Sequence, residues 1–459
     1  MTQRYRVIIV GAGPAGIFAA LELTRAGVDG ILLLEKGPDL AERQRLGREG
    51  SMLTGWGGAG AYSDGKLALS TEIGGFMDQH CTPGQLAELV QYVDDTYRAF
   101  GAPAELYGSD AEAVASLQRQ AARLDMKLIP SRYRHLGTEG CEELLGKLRA
   151  HLGGRVAIRC GAPVDEVLVD GHRAAGGVRL EDRTEIAADY VVLAPGREGS
   201  AWLAKEAERL QLHTSINPVD IGVRIEVPAS VMEEITRATY EAKIIYYTRR
   251  FEDMVRTFCM CPYGEVIREE LGGLYTVNGH SYAHRRTVNT NFALLVSKTF
   301  TEPFREPIAY GQHIARLANM LGGEVIVQRL GDLRQGRRST PRRIERSLVE
   351  PTLRHATPGD LSLVLPYRYL ANILEMLEAL DRLAPGVNSV HTLLYGVEVK
   401  FYSLQLRLGA GLETEIARLH AVGDGAGVSR GLVQASASGV LAARAIAQKI
   451  SSCAEKSGG

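Results

Sequence analysis

The chain opens on a short apolar run. Residues 6–10 read Arg-Val-Ile-Ile-Val and lead straight into Gly11-Ala12-Gly13-Pro14-Ala15-Gly16. Ile17, Ala20, Leu21 and Thr24 then recur at the spacing of one helix face, and Gly27 stands where that helix closes. Residues 31–34 are apolar throughout. The pattern predicts strand, tight turn, helix and strand, the opening of a Rossmann-type unit. Helical periodicity follows over 84–100, 110–124 and 138–152. From 155 the period shortens to strands at 155–160, 163–169 and 190–193, with turns expected at Asp170-Gly171 and Gly176-Gly177. Residues 218–300 alternate like a broad antiparallel sheet, with strands at 221–227, 243–248, 256–261, 274–277 and 292–296. Helices are expected at 303–321 and 367–383, a strand at 393–401, and a last helix from near Val428 to about Ile450.

These blocks predict an α/β protein with a discontinuous Rossmann-like nucleotide domain. Its three parts are 1–75, 151–205 and 395–452. A helical insertion at 76–150 and a mainly antiparallel β substrate domain at 206–394 interrupt it. A chain of 459 residues is long enough for two or three cores. The net charge of −1 gives no overall field to recruit nucleic acid or an anionic membrane. No window approaches the ~20 apolar residues of a membrane span. The six cysteines are scattered with no secretory segment before them, so reduced thiols and a cytoplasmic location are expected.

The first chemical motif is Gly11-X-Gly13-X-X-Gly16. Gly11 permits the turn, Gly13 lets backbone approach a pyrophosphate, and Gly16 lets helix and strand close up. Pro14 costs nothing in a first helical turn, and the free N–H groups there, with Ala15 among them, favour an anion. Glu35 follows Gly16 by 19 residues, with Lys36 beside it. A carboxylate at that strand end accepts from ribose hydroxyls. Near the C-terminus, His420-Ala-Val-Gly423-Asp424-Gly-Ala-Gly427 precedes the last helix. A short strand, Gly-Asp, small residues and a helix form an arrangement that clamps the flavin half of FAD. The helix start at 428–432, with Gly431 and Leu432, is expected to face the flavin pyrimidine edge, where negative charge gathers on reduction.

The order GAGPAG, Glu, a central strand ending Ala194-Pro195-Gly196, and a late Gly-Asp resembles the glutathione-reductase-like FAD superfamily. More specifically, the chain resembles a largely uncharacterised family of FAD-dependent dehydrogenases. The marks are residues 57–67 (GGAGAYSDGKL), 219–224 (VDIGVR), 395–403 (YGVEVKFYS), and 423–427 (GDGAG) with 430–436 (RGLVQAS). The resemblance implies that Gly57, Gly58 and Gly60 lie along FAD, with Ser63 and Lys66 near the pyrophosphate or flavin. It also implies a backbone contact from Val164 to the adenine, and cofactor contacts at Pro195 and Gly196.

Other features point less directly. Cys259-Met-Cys261 puts two sulfurs on one face of a regular strand, open to redox use or to plain core packing. Residues 334–346 hold six Arg against one Glu, open to a phosphorylated ligand or to a solvated loop. Lys400 and Tyr402 share a strand face, and His280 follows a Val-Asn-Gly turn; these three are the acid–base candidates. No Cys/His cluster has zinc spacing, so no metal is expected. No second GxGxxG follows a strand, so NAD(P)H could serve only as a transient donor. The expected function is hydride transfer between FAD and a small organic substrate, without nucleic acid or membrane. A single-Rossmann flavin monooxygenase, a flavin-dependent RNA-modifying enzyme and a non-catalytic redox sensor stay open, as does oligomeric state.

Overall fold

In the computed structural model, the described residues are 4–51, 54–215, 217–271, 273–282, 285–300, 304, 306–401 and 403–457. The chain divides into two units. The first comprises residues 1–105, 134–217 and 403–459, and the second 106–133 and 218–402.

The first unit is built on a seven-stranded sheet. Arg4–Val10 lies parallel between Ile31–Leu34 and Glu185–Leu193, and Ala157–Arg159 extends the sheet beyond Ile31–Leu34. Such strands read as continuous apolar runs because both faces are covered, and Val7, Ile8 and Ile9 are fully buried. Glu185–Leu193 serves two neighbours on one edge. Its first half pairs antiparallel with Ala175–Leu180, and its last three residues pair parallel with Leu419–Ala421. Gly176-Gly177, expected as a turn, lies inside Ala175–Leu180. Gly177 is there because a Cβ would strike the Ile186 carbonyl across the ladder. Helix Pro14–Arg25 packs against the long C-terminal helix, where Gly439 sits over the Ala15 carbonyl with no room for a side chain.

The second unit holds an eight-stranded sheet. Its centre is Leu393–Lys400, Val219–Pro228 and Asn289–Lys298, all antiparallel. On Val219–Pro228, alternate residues Val219, Ile221, Val223, Ile225 and Val227 face a core shared with Met232, Ile314, Ile373 and Leu377. Burying each such side chain contributes about 1.5–3 kcal/mol. The intervening residues are Asp220, Gly222, Arg224 and Glu226, and their three charged side chains are also buried.

Three boundaries differ from the sequence reading. Residues 76–150 do not stand apart as a helical insertion. Helices Pro83–Ala99 and Gly137–Leu152 belong to the first unit, while Ala111–Ala122 and Met126–Ile129 belong to the second. Met126–Ile129 there forms the edge of the large sheet, pairing with Lys243–Tyr247. Leu393–Lys400 is a central strand of the second unit, not the start of the last nucleotide segment. The C-terminal helix runs Leu432–Ser457, so residues 428–431 precede its first turn. Their backbone is taken by an antiparallel bridge: Phe76 N–H donates to Val428 O (2.9 Å) and Arg430 N–H to Gly74 O (2.6 Å). Among the described residues, no helix is long and apolar enough to cross a membrane.

Candidate cofactor site

The first strand ends at Val10, and the chain must turn at once into helix Pro14–Arg25. Gly11 makes that turn at φ +110°, where a side chain would run into the Ala194 carbonyl. Gly16 meets the Gly11 carbonyl so closely that no Cβ fits. Gly13 differs from both. It is the N-cap, with Pro14 in the first turn, and a Cβ on it would touch nothing within 4 Å. That open side is where the helix offers its free N–H groups.

Other segments of the first unit gather around this turn. Gly57 N–H donates to Ala12 O (2.8 Å), and a Cβ on Gly58 would lie 3.1 Å from Gly13 Cα. A Cβ on Gly60 would lie 2.9 Å from Leu432 Cδ2, and one on Gly423 3.0 Å from Ala15 Cβ. Gly425 abuts Pro195 and Gly196. The glycine turn, the 57–60 loop, Pro195-Gly196, the Gly-Asp loop and the start of the last helix therefore meet in one place. Gly431 is less constrained, since a Cβ there would sit 3.5 Å from Gly74 Cα, an ordinary contact.

Glu35 is buried and ties this region together. Its Oε2 accepts from Ala12 N–H (2.8 Å), and its Oε1 accepts from the N–H groups of Gly37 and Gly55 (2.9 Å each). It thus fastens the first turn to the loop that carries Gly57, and Oε2 retains acceptor capacity for a ribose hydroxyl. Val164 begins a strand two residues beyond Ala162, whose N–H donates to Glu35 O (2.9 Å). Lys36 pairs instead with Glu198, and burial pushes its pKa down against the pull of Glu35. Ser63 and Lys66 are engaged within their own loop: Ser63 Oγ donates to Gly60 O (2.8 Å), and Lys66 Nζ pairs with Asp64 (3.0 Å). Asp424 accepts from Ser429 Oγ (2.6 Å) and faces Arg197 Nε at 4.0 Å.

Several partners here were not singled out by sequence. Arg43 is fully buried and donates to the carbonyls of Trp56 (2.6 Å) and Gly58 (2.9 Å). Trp56 donates its indole N–H to Leu145 O (3.1 Å). Ser438 Oγ accepts from Gly423 N–H (3.0 Å). Arg43 lies in the helix LAERQRLGREGS, whose polarity reads as a solvated surface. Only its distance from Glu35 and the following Gly-Trp-Gly-Gly could have hinted at a buried clamp.

The acid–base candidates belong to the second unit. Lys400 Nζ lies 3.1 Å from Glu398 and 3.9 Å from Glu269. Glu398 is bound on its other side by Arg224 (2.7 Å), so the VDIGVR and YGVEVK segments meet in one buried ion-pair chain. His280 packs edge-on against Tyr282, with ring centroids 4.6 Å apart. Tyr402 lies outside the described residues. Cys259 takes φ +43° at a bulge between Phe258 and Cys261, which breaks the strand alternation that would align the two sulfurs. Within 334–346, Arg334 pairs with Glu378 and Arg337 with Asp332 (2.9 Å each), and Arg343 donates to Arg338 O (2.8 Å).

The residues of the first unit fit FAD. They offer an unobstructed helix start, glycines where bulk would intrude, a buried carboxylate with a free lone pair and a Gly-Asp loop beside the same helix. Residues 4–48 match the family described as an FAD binding domain, and residues 218–401 match "FAD-dependent protein, C-terminal domain-like". The cofactor is FAD. An uncharacterized protein of Clostridium beijerinckii is 28% identical over 490 residues, covering 97% of this chain and 81% of that one. Among solved structures, the chain is similar to the L-proline dehydrogenase of P. horikoshii, at 12% identity and TM-score 0.43 over 98% of this chain and 95% of that one. It is also similar to the glycine oxidase of Geobacillus kaustophilus, at 14% identity and TM-score 0.39 over 99% and 95%. A 3-ketosteroid-delta4-(5alpha)-dehydrogenase of Rhodococcus jostii is 14% identical with TM-score 0.44 over 97% of each chain.

Proposed function

We propose that this chain is an FAD-dependent dehydrogenase or reductase that moves hydride between its flavin and a small organic substrate, within the glutathione-reductase-like superfamily. The observation that carries the reading is the open side of Gly13, with four other segments of the first unit drawn around it. Bound FAD supplies the hydride acceptor or donor. The chain's own groups hold it. The N–H groups of Gly13, Ala15 and Gly16 cradle the pyrophosphate, Glu35 Oε2 accepts from the ribose, and Asp424, oriented by Ser429, holds the ribityl side. Arg43 and Trp56 keep the 57–60 loop closed over the turn. Lys400, His280 and Tyr402 are the acid–base groups proposed for the substrate; Lys400 has the strongest support, because Glu398 orients its ammonium. NAD(P)H is proposed only as a transient donor.

The test is anaerobic spectroscopy of the purified holoprotein against a panel of amino acids, hydroxy acids, steroids and NAD(P)H. A small organic compound that bleaches the flavin band stoichiometrically supports the reading. Chromatography of the released flavin must show FAD. Release of FMN, or a protein that takes up no flavin on reconstitution, overturns it.

A further inference from the structure

We propose that His80 is a cofactor contact, its Nε2 hydrogen-bonding the polar edge of the bound flavin ring beside residues 423–430. This rests on the FAD reading above and adds a residue to it that no sequence motif contains.

His80 Nε2 is buried without a hydrogen-bond partner. Native interiors rarely leave a buried ring nitrogen unsatisfied, and an absent ligand is one of the few physical reasons for it. The surroundings say which ligand. His80 closes the short turn Met77–Gln79, its N–H donating to Met77 O (3.0 Å). Just before that turn, Gly74 and Phe76 are bonded to Arg430 and Val428, and the Arg430 guanidinium lies 4.2 Å from the centre of the Phe76 ring. Just before His80, the Gln79 side chain bonds that of Gln405 (2.7 Å). Gln405 in turn lies against Gly427, where a Cβ would come within 2.7 Å of Gln405 Cα. Both flanks of the turn are thus fastened to the loop assigned to the flavin half of FAD.

The turn is also held from within the unit. Gln434 Nε2 donates to Ile73 O (2.9 Å), and Cys81 Sγ donates to Met77 O (3.2 Å). The imidazole therefore stands on a fixed backbone, as a binding group should. Burial lowers its pKa, with Asp78 opposing. A neutral ring carries one donor and one acceptor nitrogen, and either role suits the alternating carbonyls and N–H of a flavin pyrimidine. His420 Nε2, also buried without a hydrogen-bond partner, differs. His420 lies in a sheet strand, its Nδ1 2.9 Å from Gly411 O and its ring 6.5 Å from that of Tyr190.

The experiment compares wild type, His80→Ala and His80→Gln, as apoprotein and after FAD addition. FAD affinity, flavin absorption, reduction potential and melting temperature are measured. His80→Ala should keep the apoprotein melting temperature, bind FAD about tenfold more weakly, the equivalent of one hydrogen bond, and shift the flavin bands and potential. His80→Gln, which retains a polar group at that reach, should recover most of the affinity. If His80→Ala binds FAD with unchanged affinity, spectrum and potential, His80 does not touch the flavin. If the apoprotein loses as much stability as the holoprotein, the residue is structural and the proposal falls. Wild-type protein that binds no FAD sinks the cofactor reading itself, and the inference with it.

Discussion

The two sheets of this chain bury different kinds of surface. In the first unit, Val7–Val10 and Ile31–Leu34 are buried on both faces with apolar side chains, and recognition is left to the backbone beyond their ends. In the second unit, Val219–Pro228 buries Val219, Ile221, Val223, Ile225 and Val227 on one face and Asp220, Arg224 and Glu226 on the other. Glu226 accepts from Thr352 Oγ1 and Tyr395 Oη (2.5 Å each) and from Asn289 (3.1 Å), while burial raises its pKa. One sheet forms a site by what its loops leave out. The other places side-chain chemistry directly on its strands, which then depends on every charge finding a partner.

That contrast can be broken most sharply at the buried pair of the second unit. Glu398→Leu strands Arg224 without its carboxylate and should cost about 3–5 kcal/mol. Urea unfolding should show that loss, while the double variant Arg224→Met with Glu398→Leu should recover much of it. If the single variant is as stable as wild type, the charged face is not held as a network. In the first unit, the matching change is Gly16→Ala. It forces the helix away from the Gly11 carbonyl at about 1–3 kcal/mol, and FAD titration should show a loss of affinity greater than the loss of stability.

Glu35→Gln sharpens the comparison further. It keeps the shape but replaces a charged acceptor of three backbone N–H groups, each such bond being worth about 1.5–3 kcal/mol at most. Stability and FAD affinity should fall together if, as proposed, the carboxylate that closes the loop also accepts from the ribose. A drop in affinity alone would separate those roles.

Two smaller effects belong to the second unit. Burial pushes the Asp253 carboxyl up, but hydrogen bonds from Arg368, Lys298 and Asn372 outweigh it and hold the pKa at about 2. A depressed folded-state pKa stabilises the fold above the ordinary carboxyl range, and this is lost as pH falls through about 4 towards 2. Stability measured across that window should fall less steeply in Asp253→Asn. Last, Cys259→Ala with Cys261→Ala should leave bound flavin and its reduction unchanged, since the bulge breaks the alternation that would align the two sulfurs. Loss of substrate-driven bleaching with FAD retained would make them a redox pair after all.

The same contrast explains what could be read from sequence. The glycine turn, Glu35 and the Gly-Asp loop were legible because each position there tolerates few residue types, and the spacing itself is the geometry. The apolar strands of both sheets were legible for the same reason, since alternation and continuous runs are direct records of burial. Arg43 was not, because a buried arginine bonded to carbonyls looks like any surface arginine in a polar helix. Nor was helix Ala229–Thr239. Its buried Ala229, Met232, Ile235 and Thr239 carry a helical period, but it interrupts a strand-rich stretch. The partnership of Arg224 with Glu398 spans 174 positions, and no local pattern encodes a contact at that range. Gly176-Gly177 misled because a glycine pair that admits a neighbouring strand is written like one that makes a turn.

The first unit closes around a helix made after the whole of the second unit, and this gives synthesis an order. A ribosome adding roughly 5–20 residues per second exposes all of the second unit before residues 403–459 have emerged. Until then the Gly13 turn lacks Gly423, Asp424 and Leu432, and the groove that Ala15 offers to Gly439 stands empty. The nascent chain would therefore carry a finished second unit interleaved with two unfinished pieces of the first, residues 1–105 and 134–217. Cofactor capture thus waits on residues 403–459, and chains stalled or clipped before that helix would accumulate colourless, with an apolar seam open to chaperones and proteases.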